Sequence, residues 1–368
     1  MEWLYPTPCL RACLRAVRCI SCTGYPGDDS GMKTIALLLL AFLLLAVSPF
    51  VYYMGISFSQ GYDVENALRY YFADRQTGTT IGEDKVPVVS LEVTWAGDVE
   101  NHRLLEASGL AQSSISPGIL FSINDSGNDP ELFALDSRGN DLGFWKVDTE
   151  KNVDWEDVAS FMFRDEPYLL IADTGDNFHW RPTVEFIIIR EPEPESLAMD
   201  AILPVEWKIE VEYPNGYRDC EAVAVDEASE TIFFISKRVV PAEVYRVPLK
   251  PSTLQVKATR MALLNTIPQP SEQDKWEDPK YGLNRSQPTA FDIRGNKAVV
   301  FTYKDAYLFK RGWRDNWIDA FSKVPARILL PPVYAQEAGL ITRSEKFLFV
   351  TSEREAGTNR IGLYRVKL

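Results

Sequence analysis

From residue 88 to the C-terminus, short runs of Val, Ile, Leu, Phe and Tyr alternate with clusters of Gly, Asp, Asn, Ser and Pro. β-Branched and aromatic runs punctuated by turn residues predict strands, and so many short strands predict an all-β fold. One segment breaks the pattern. Residues 35–54, "IALLLLAFLLLAVSPFVYYM", form an uncharged stretch of 20 residues. As a helix it spans about 30 Å, the thickness of a bilayer's hydrocarbon core. Tyr52 and Tyr53 lie at its far end, as at a membrane interface. Residues 55–86 read as a juxtamembrane helix and polar linker, and residues 87–368 as the main domain.

The strands repeat. Five segments share an anchor: "SGLA" at Ser108, "EDVA" at Glu156, "EAVA" at Glu221, "TAFD" at Thr289 and "EAGL" at Glu337. A second apolar run follows each anchor: "GILFSIN", "YLLIA", "TIFFIS", "AVVFTY" and "FLFVTS". Each second run ends on a polar residue, namely Asp125, Asp173, Lys237, Lys304 and Glu353, 17, 17, 16, 15 and 16 residues after its anchor. A third strand follows in every unit. A fourth ("LGFWKV", "VEWKIEVEY", "VKATRMALL", "ARILLPP") follows in the first four. Four-stranded units in series predict a β-propeller of five blades. Residues 262–287 are long enough to hold a sixth but read as loop. The fifth unit lacks its fourth strand, and "VVSLEVTWAG" (Val88 to Gly97) is a spare strand that closes the ring.

That architecture places chemistry. The start of a blade's first strand and the end of its second share one face, close to the axis. Acidic and amide groups gather there: Asn124, Asp125, Glu156, Asp157, Asp173, Asp176, Asn177, Glu221, Glu337 and Glu353. Asp125-Ser-Gly-Asn-Asp129 and Asp173-Thr-Gly-Asp-Asn177 are the same phrase in two blades, and each is also a sound turn sequence. Converging carboxylates repel one another unless a cation or proton intervenes. Carboxylate and amide oxygens suit calcium, so Asp125, Glu156, Asp173, Asp176, Asn177 and Glu221 form the expected calcium set. Arg218, Lys237, Lys304 and Glu353 are expected to contact a ligand. Glu337 is the candidate general base. His102 and His179 are the only histidines and neither adjoins an anchor, which argues against zinc and against a Ser-His-Asp triad.

Charge and cysteine content narrow the classes. A net charge of -13 opposes nucleic-acid binding, which needs a basic face. Cys9, Cys13, Cys19 and Cys22 precede the apolar segment, so Cys220 alone belongs to the main domain, which therefore has no internal disulfide. Met32-Lys33 reads as a translation start, leaving residues 1–34 as a tail. Arg11, Arg15, Arg18 and Lys33 put the N-terminal side in the cytoplasm and the propeller in the periplasm or outside the cell. The absence of a small-residue cleavage site favours an uncleaved anchor over a signal peptide.

"SGLAQS", "NDSG", "NVDWEDVA", "DTGDN", "YPNGYRDCEAVAVD", "ISKR", "YKDAYLF" and "QEAGLI", in that order, resemble a widespread bacterial family of secreted or membrane-anchored propeller proteins. The family is mostly uncharacterised. The resemblance covers roughly residues 100–368 and implies the fold and an extracytoplasmic location. More distantly, the acidic mouth is similar to that of calcium-dependent propeller hydrolases, the phytases and the gluconolactonase–paraoxonase group. Two functions are expected. One is a membrane-anchored propeller binding a small anionic ligand or a protein partner at this mouth. The alternative is a calcium-dependent hydrolase of phosphoester, ester or lactone bonds. A topology reporter fused after Leu368 is expected to be active only outside the cytoplasm, and activity confined to the cytoplasm would overturn the orientation.

Overall fold

The computed structural model describes residues 78–193, 202–277, 282–331, 336–352 and 361–368. The expected tail, anchor and first part of the linker lie outside them. Among the described residues no helix is long and apolar enough to cross a membrane.

Five sheets form, and each is one repeat of the sequence. The first strands are Ala107–Gln112, Trp155–Phe163, Cys220–Asp226, Pro288–Arg294 and Gln336–Ile341. The second are Ile119–Asn124, Glu166–Asp173, Thr231–Ser236, Lys297–Thr302 and Phe347–Ser352. Both sets are almost wholly buried where described. This is why they read as continuous apolar runs rather than alternating ones. Five hydrophobic clusters fill the spaces between sheets. Ile123, Trp145 and Ile171 belong to the cluster joining blades 1 and 2. Phe186, Phe234 and Tyr245 join blades 2 and 3, and Phe233, Phe291 and Phe321 join blades 3 and 4. Phe301, Val350 and Val366 join blades 4 and 5. Leu110, Phe133 and Leu340 join blade 5 to blade 1, which completes the ring. The fold is a five-bladed β-propeller.

The N-terminal strand closes it. Val93–Asp98 pairs antiparallel with Gly362–Lys367, setting Val93 against Val366 and Trp95 against Tyr364. The expected strand from Val88 is nonetheless two strands. Val88–Val89 runs parallel to Ala326–Leu329 on the edge of blade 4, with Val88 opposite Arg327. "VKATRMALL" divides in the same way. Gln255–Lys257 extends blade 2, and Thr259–Leu263 is the outer strand of blade 3. Ile202–Leu203 caps blade 1 likewise. An outer strand exposes a row of unpaired N–H and C=O groups, and the segment that leads into the next blade's outer strand satisfies part of that edge. Residues 262–287 hold no strand beyond Leu263 among their described residues, only the helix Glu272–Glu277 and one 3-10 turn, so no sixth blade forms there. Residues 78–86, read as linker, pack on the propeller. Gly78 donates its N–H to the Val240 carbonyl, Ile81 donates to that of Asn265, and Val86 is buried between blades 3 and 4.

The first strands have a free edge at the axis, and side chains satisfy it. Asp157 of blade 2 accepts backbone N–H groups from Val158 at 2.8 Å, from Val223 of blade 3 at 2.9 Å and from Phe291 of blade 4 at 3.3 Å. Asp292 accepts that of Ile341 in blade 5. The Ser108 hydroxyl donates to the Glu156 carbonyl, and the Arg294 guanidinium to the Ser160 carbonyl and hydroxyl. Gly109 lets blades 1 and 2 approach. A Cβ there would lie 2.5 Å from the Val158 nitrogen. Asp157→Ala leaves three N–H groups without this acceptor. It is expected to cost about 3–5 kcal/mol in urea unfolding, and Asp157→Asn, which keeps one acceptor oxygen, distinctly less. Equal losses from the two variants would refute the hydrogen-bonding role.

Candidate functional site

The five anchors share one backbone feature. In every first strand the register shifts at the second residue: at Ser108, Glu156, Glu221, Thr289 and Glu337. A bulge inserts one unpaired residue and re-aims its side chain. The recurring anchor is therefore a recurring bulge at the axial mouth. Backbone bonds set the register of the opposing residues. Asp125 N donates to Glu106 O, Thr174 N to Asp154 O, and Lys237 N to Asp219 O. Asp125, Thr174 and Lys237 are thus equivalent, and Glu106, Asp154 and Asp219 form a second equivalent set.

Two carboxylate triplets arise there. Asp125, Asp154 and Glu156 have oxygens that all lie within 4.8 Å of one another, and so do Glu156, Asp219 and Glu221. Glu156 belongs to both. Gly175, the glycine of "DTGDN", makes the first triplet sterically possible. A Cβ on it would lie 2.2 Å from Glu156 Oε1 and 2.4 Å from Asp154 Oδ2.

The triplets differ in their counter-charges. Lys237 forms an ion pair with Glu221 and donates to the Tyr303 hydroxyl at 2.7 Å. Arg238 pairs with Asp219 at 2.6 Å. No described side chain forms an ion pair with Asp125, Asp154 or Glu156. The carboxyls respond accordingly. Burial, with the charges of Asp125 and Asp219, pushes Asp154 up to about 7. Burial and the same kind of repulsion raise Glu156 well above its ordinary value. Burial also raises Asp125, with Glu106 adding to it. Burial opposes ionisation of Asp219 too, but Arg238 and Lys237 outweigh it and hold that carboxyl low. The carboxylates of the blade 1–2 half thus have no ion-paired cation, with Arg181 acting on Asp154 only from its pair with Asp173, whereas the blade 3 half is supplied with two. Two buried oxygens at the bulges have no hydrogen-bond partner among the described residues: Glu221 Oε2 and Thr289 Oγ1.

The expected residues fall into three groups. Asp125, Glu156, Glu221 and Lys237 meet at the mouth. Asp173, Asp176, Asn177, Arg218 and Lys304 have other partners. Asp173 pairs with Arg181 at 2.7 Å and accepts the Val153 and Asp154 N–H groups, as Asn124 does for Leu105 and Glu106 in blade 1. Asp176 accepts the N–H groups of Trp180 and Arg181. The Asn177 side chain takes a bond from Arg238, Arg218 pairs with Glu243, and Lys304 pairs with Asp274. The third group, the side chain of Glu337 and all of Glu353, lies outside the described residues. Asp154 joins the triplets without having been singled out in the sequence. Its signal was the repeated Asp-x-Glu of "DWE" (154–156) and "DCE" (219–221), which a bulge turns to one side.

No family model and no curated protein matches this sequence. Similar solved structures include the PQQ-bound aldose sugar dehydrogenase of Streptomyces coelicolor. It has 9% identity and a TM-score of 0.41, over 77% of this chain and 100% of that one. A luciferin-regenerating enzyme shows 8% identity and a TM-score of 0.39, over 76% and 95% of the two chains. A nidogen/laminin complex shows 9% and 0.37, over 67% and 73%.

Asp154 and Asp176, ordinarily at 3.8, both sit at about 7 in the folded chain, Asp176 chiefly through burial. The folded state then binds more protons than the unfolded one. This contribution to stability is complete below the unfolded value and is lost as pH rises to the folded one. With a chelator present, the melting temperature is expected to fall between about pH 4 and pH 7, and less steeply in Asp154→Asn. A wild-type melting temperature that climbs through that window would contradict the arrangement.

Proposed function

We propose that the axial mouth binds a divalent cation through Asp125, Asp154 and Glu156, and that the propeller uses it to hold a small anionic ligand. One observation carries the reading: three buried or half-buried carboxylates from two blades converge within 4.8 Å, and no described cationic side chain forms an ion pair with any of them. Gly175 leaves the cradle in which two of the three sit side by side. The donors are all hard oxygens, which suits calcium, and water and ligand oxygens would complete its 6–8 contacts. Bound there, the cation would supply a fixed positive charge for a phosphoryl or carboxyl oxygen. Lys237, held between Glu221 and Tyr303, would add a second positive group on the blade 3 side.

The arrangement also supports the hydrolase reading, because three carboxylates around one point with an ammonium alongside suit polarisation of an ester or phosphoester. Glu337, at the fifth bulge, is its candidate base. The uncharged run of residues 35–54 supports a single-pass anchor with the propeller outside the cytoplasm.

Asp125→Asn removes one ligand charge with little change of shape. It is expected to weaken calcium binding by about tenfold or more and to shrink the calcium-induced rise in melting temperature. Asp173→Asn breaks the Arg181 pair instead, and is expected to lower the melting temperature equally in calcium and in EDTA. If Asp125→Asn also acts equally in both, the cation reading fails.

A further inference from the structure

We infer that the mouth takes two divalent cations, bridged by Glu156, and that only the doubly loaded mouth attracts an anion. This rests on the cation reading above and extends it to the second triplet, Glu156, Asp219 and Glu221.

One buried oxygen of the second triplet has no hydrogen-bond partner among the described residues. It is Oε2 of Glu221, a residue 5% exposed. Lys237 makes its ion pair through the other oxygen, Oε1. A buried carboxylate oxygen left unpaired is destabilising unless something fills its place. Asp219 retains coordinating capacity too. Its Oδ1 accepts the Asp176 N–H and its Oδ2 accepts Arg238 Nε, which leaves a lone pair on each oxygen. Glu156 lies in both triplets, so one carboxylate touches both positions, as a bridging ligand must.

Charge points the same way. Five carboxylates form the two triplets, and two cationic side chains, Lys237 and Arg238, pair with them. Arg181 is matched by Asp173 and does not alter the balance. The mouth with every carboxyl ionised is therefore short of three positive charges. One divalent cation leaves it net negative, and an anion would be repelled. A second makes it net positive, and an anionic group can then lie across both ions, the arrangement of a two-metal clamp. The cationic side chains pair with one oxygen each, Asp219 Oδ2 and Glu221 Oε1. Their cost to a second ion is that of two nearby like charges, set against three carboxylates. The expected order is strong binding at Asp125–Asp154–Glu156 and weaker binding at Glu156–Asp219–Glu221.

The test counts ions. Full-length protein in mild detergent is dialysed to equilibrium against calcium, and bound metal is measured by elemental mass spectrometry. Two ions per chain are expected in the wild type. One is expected in Glu221→Gln, which keeps the tighter site, and about none in Glu156→Gln. Inorganic phosphate, kept below the solubility limit of its calcium salt, is the anion probe. It is expected to bind the calcium-saturated wild type and to bind Glu221→Gln at least about tenfold more weakly. One ion per chain in the wild type overturns the second site and leaves the first reading standing. No bound ion in the wild type overturns both, whatever the variants do. Two ions retained in a folded Glu221→Gln likewise overturn the assignment of the second site.

Discussion

The free inner edge of each blade is the constraint on which the rest depends. A strand at the axis has a hydrogen-bonded neighbour on one side only, and its other edge carries backbone groups that the sheet does not pair. Side chains must therefore do so. Asp157 is central to this. One buried carboxyl gathers N–H groups from blades 2, 3 and 4, and Asp292 extends the pattern to blade 5. The Ser108, Ser160 and Arg294 side chains satisfy carbonyls in turn. The inner edges are thus tied together by polar contacts, while the spaces between sheets are tied by apolar ones. Change at the channel reaches several blades at once, whereas change in one hydrophobic cluster reaches two.

The mouth departs from that economy. Along the inner edge burial raises Asp157 and Asp292 as well, but each meets backbone N–H donors that oppose the rise. At the bulges the carboxylates of blades 1 and 2 meet one another. Their raised pKa values follow from burial without compensating charge, and each marks a protonation equilibrium that the fold makes costly. A chain under selection for stability alone would place small or apolar residues there, as blade 4 does with Thr289. The cost is concentrated at Asp125 and Asp154, which are half-buried, and at Glu156 behind them.

Much of the fold was legible, because five anchors at near-constant spacing are five bulges, and a bulge needs a residue type that tolerates the axial environment. The closing strand was legible through the missing fourth strand of the last unit. Two things were not. Val88 to Gly97 and residues 256–264 each look like one strand, since a run of β-formers carries no mark of the point where it changes partner. That point is set by edges elsewhere in the chain, Arg327 for Val88 and Glu210 for Gln255. The second was register. Matching polar residue types set Asp125 level with Asp173, Lys237, Lys304 and Glu353, but hairpin lengths differ between blades. Backbone bonding keeps Lys237 level with Asp125, puts Thr174 there in blade 2, and sets Asp173 beside Asn124. A slip of one residue on a strand exchanges its faces. That slip separates a loop-bonding aspartate from one at the mouth.

The same point explains why "IADTGDN" was a good signpost while its aspartates are not the centre of the site. Asp173 and Asp176 accept four backbone N–H groups between them, and Asp173 holds Arg181 as well. Carboxylates whose lone pairs face donors fix a loop and have little left for a cation. What the loop fixes is the path of Gly175, with Arg181 donating to its carbonyl at 2.8 Å. Gly175 in turn leaves the volume in which Asp154 and Glu156 come together. The acidic residues of the motif therefore act through position: they hold a glycine against the site, and the absent side chain of that glycine is the feature the site uses. An alanine at 175 would keep every charge and still separate the two carboxylates, so charge counting in the motif alone cannot locate the site.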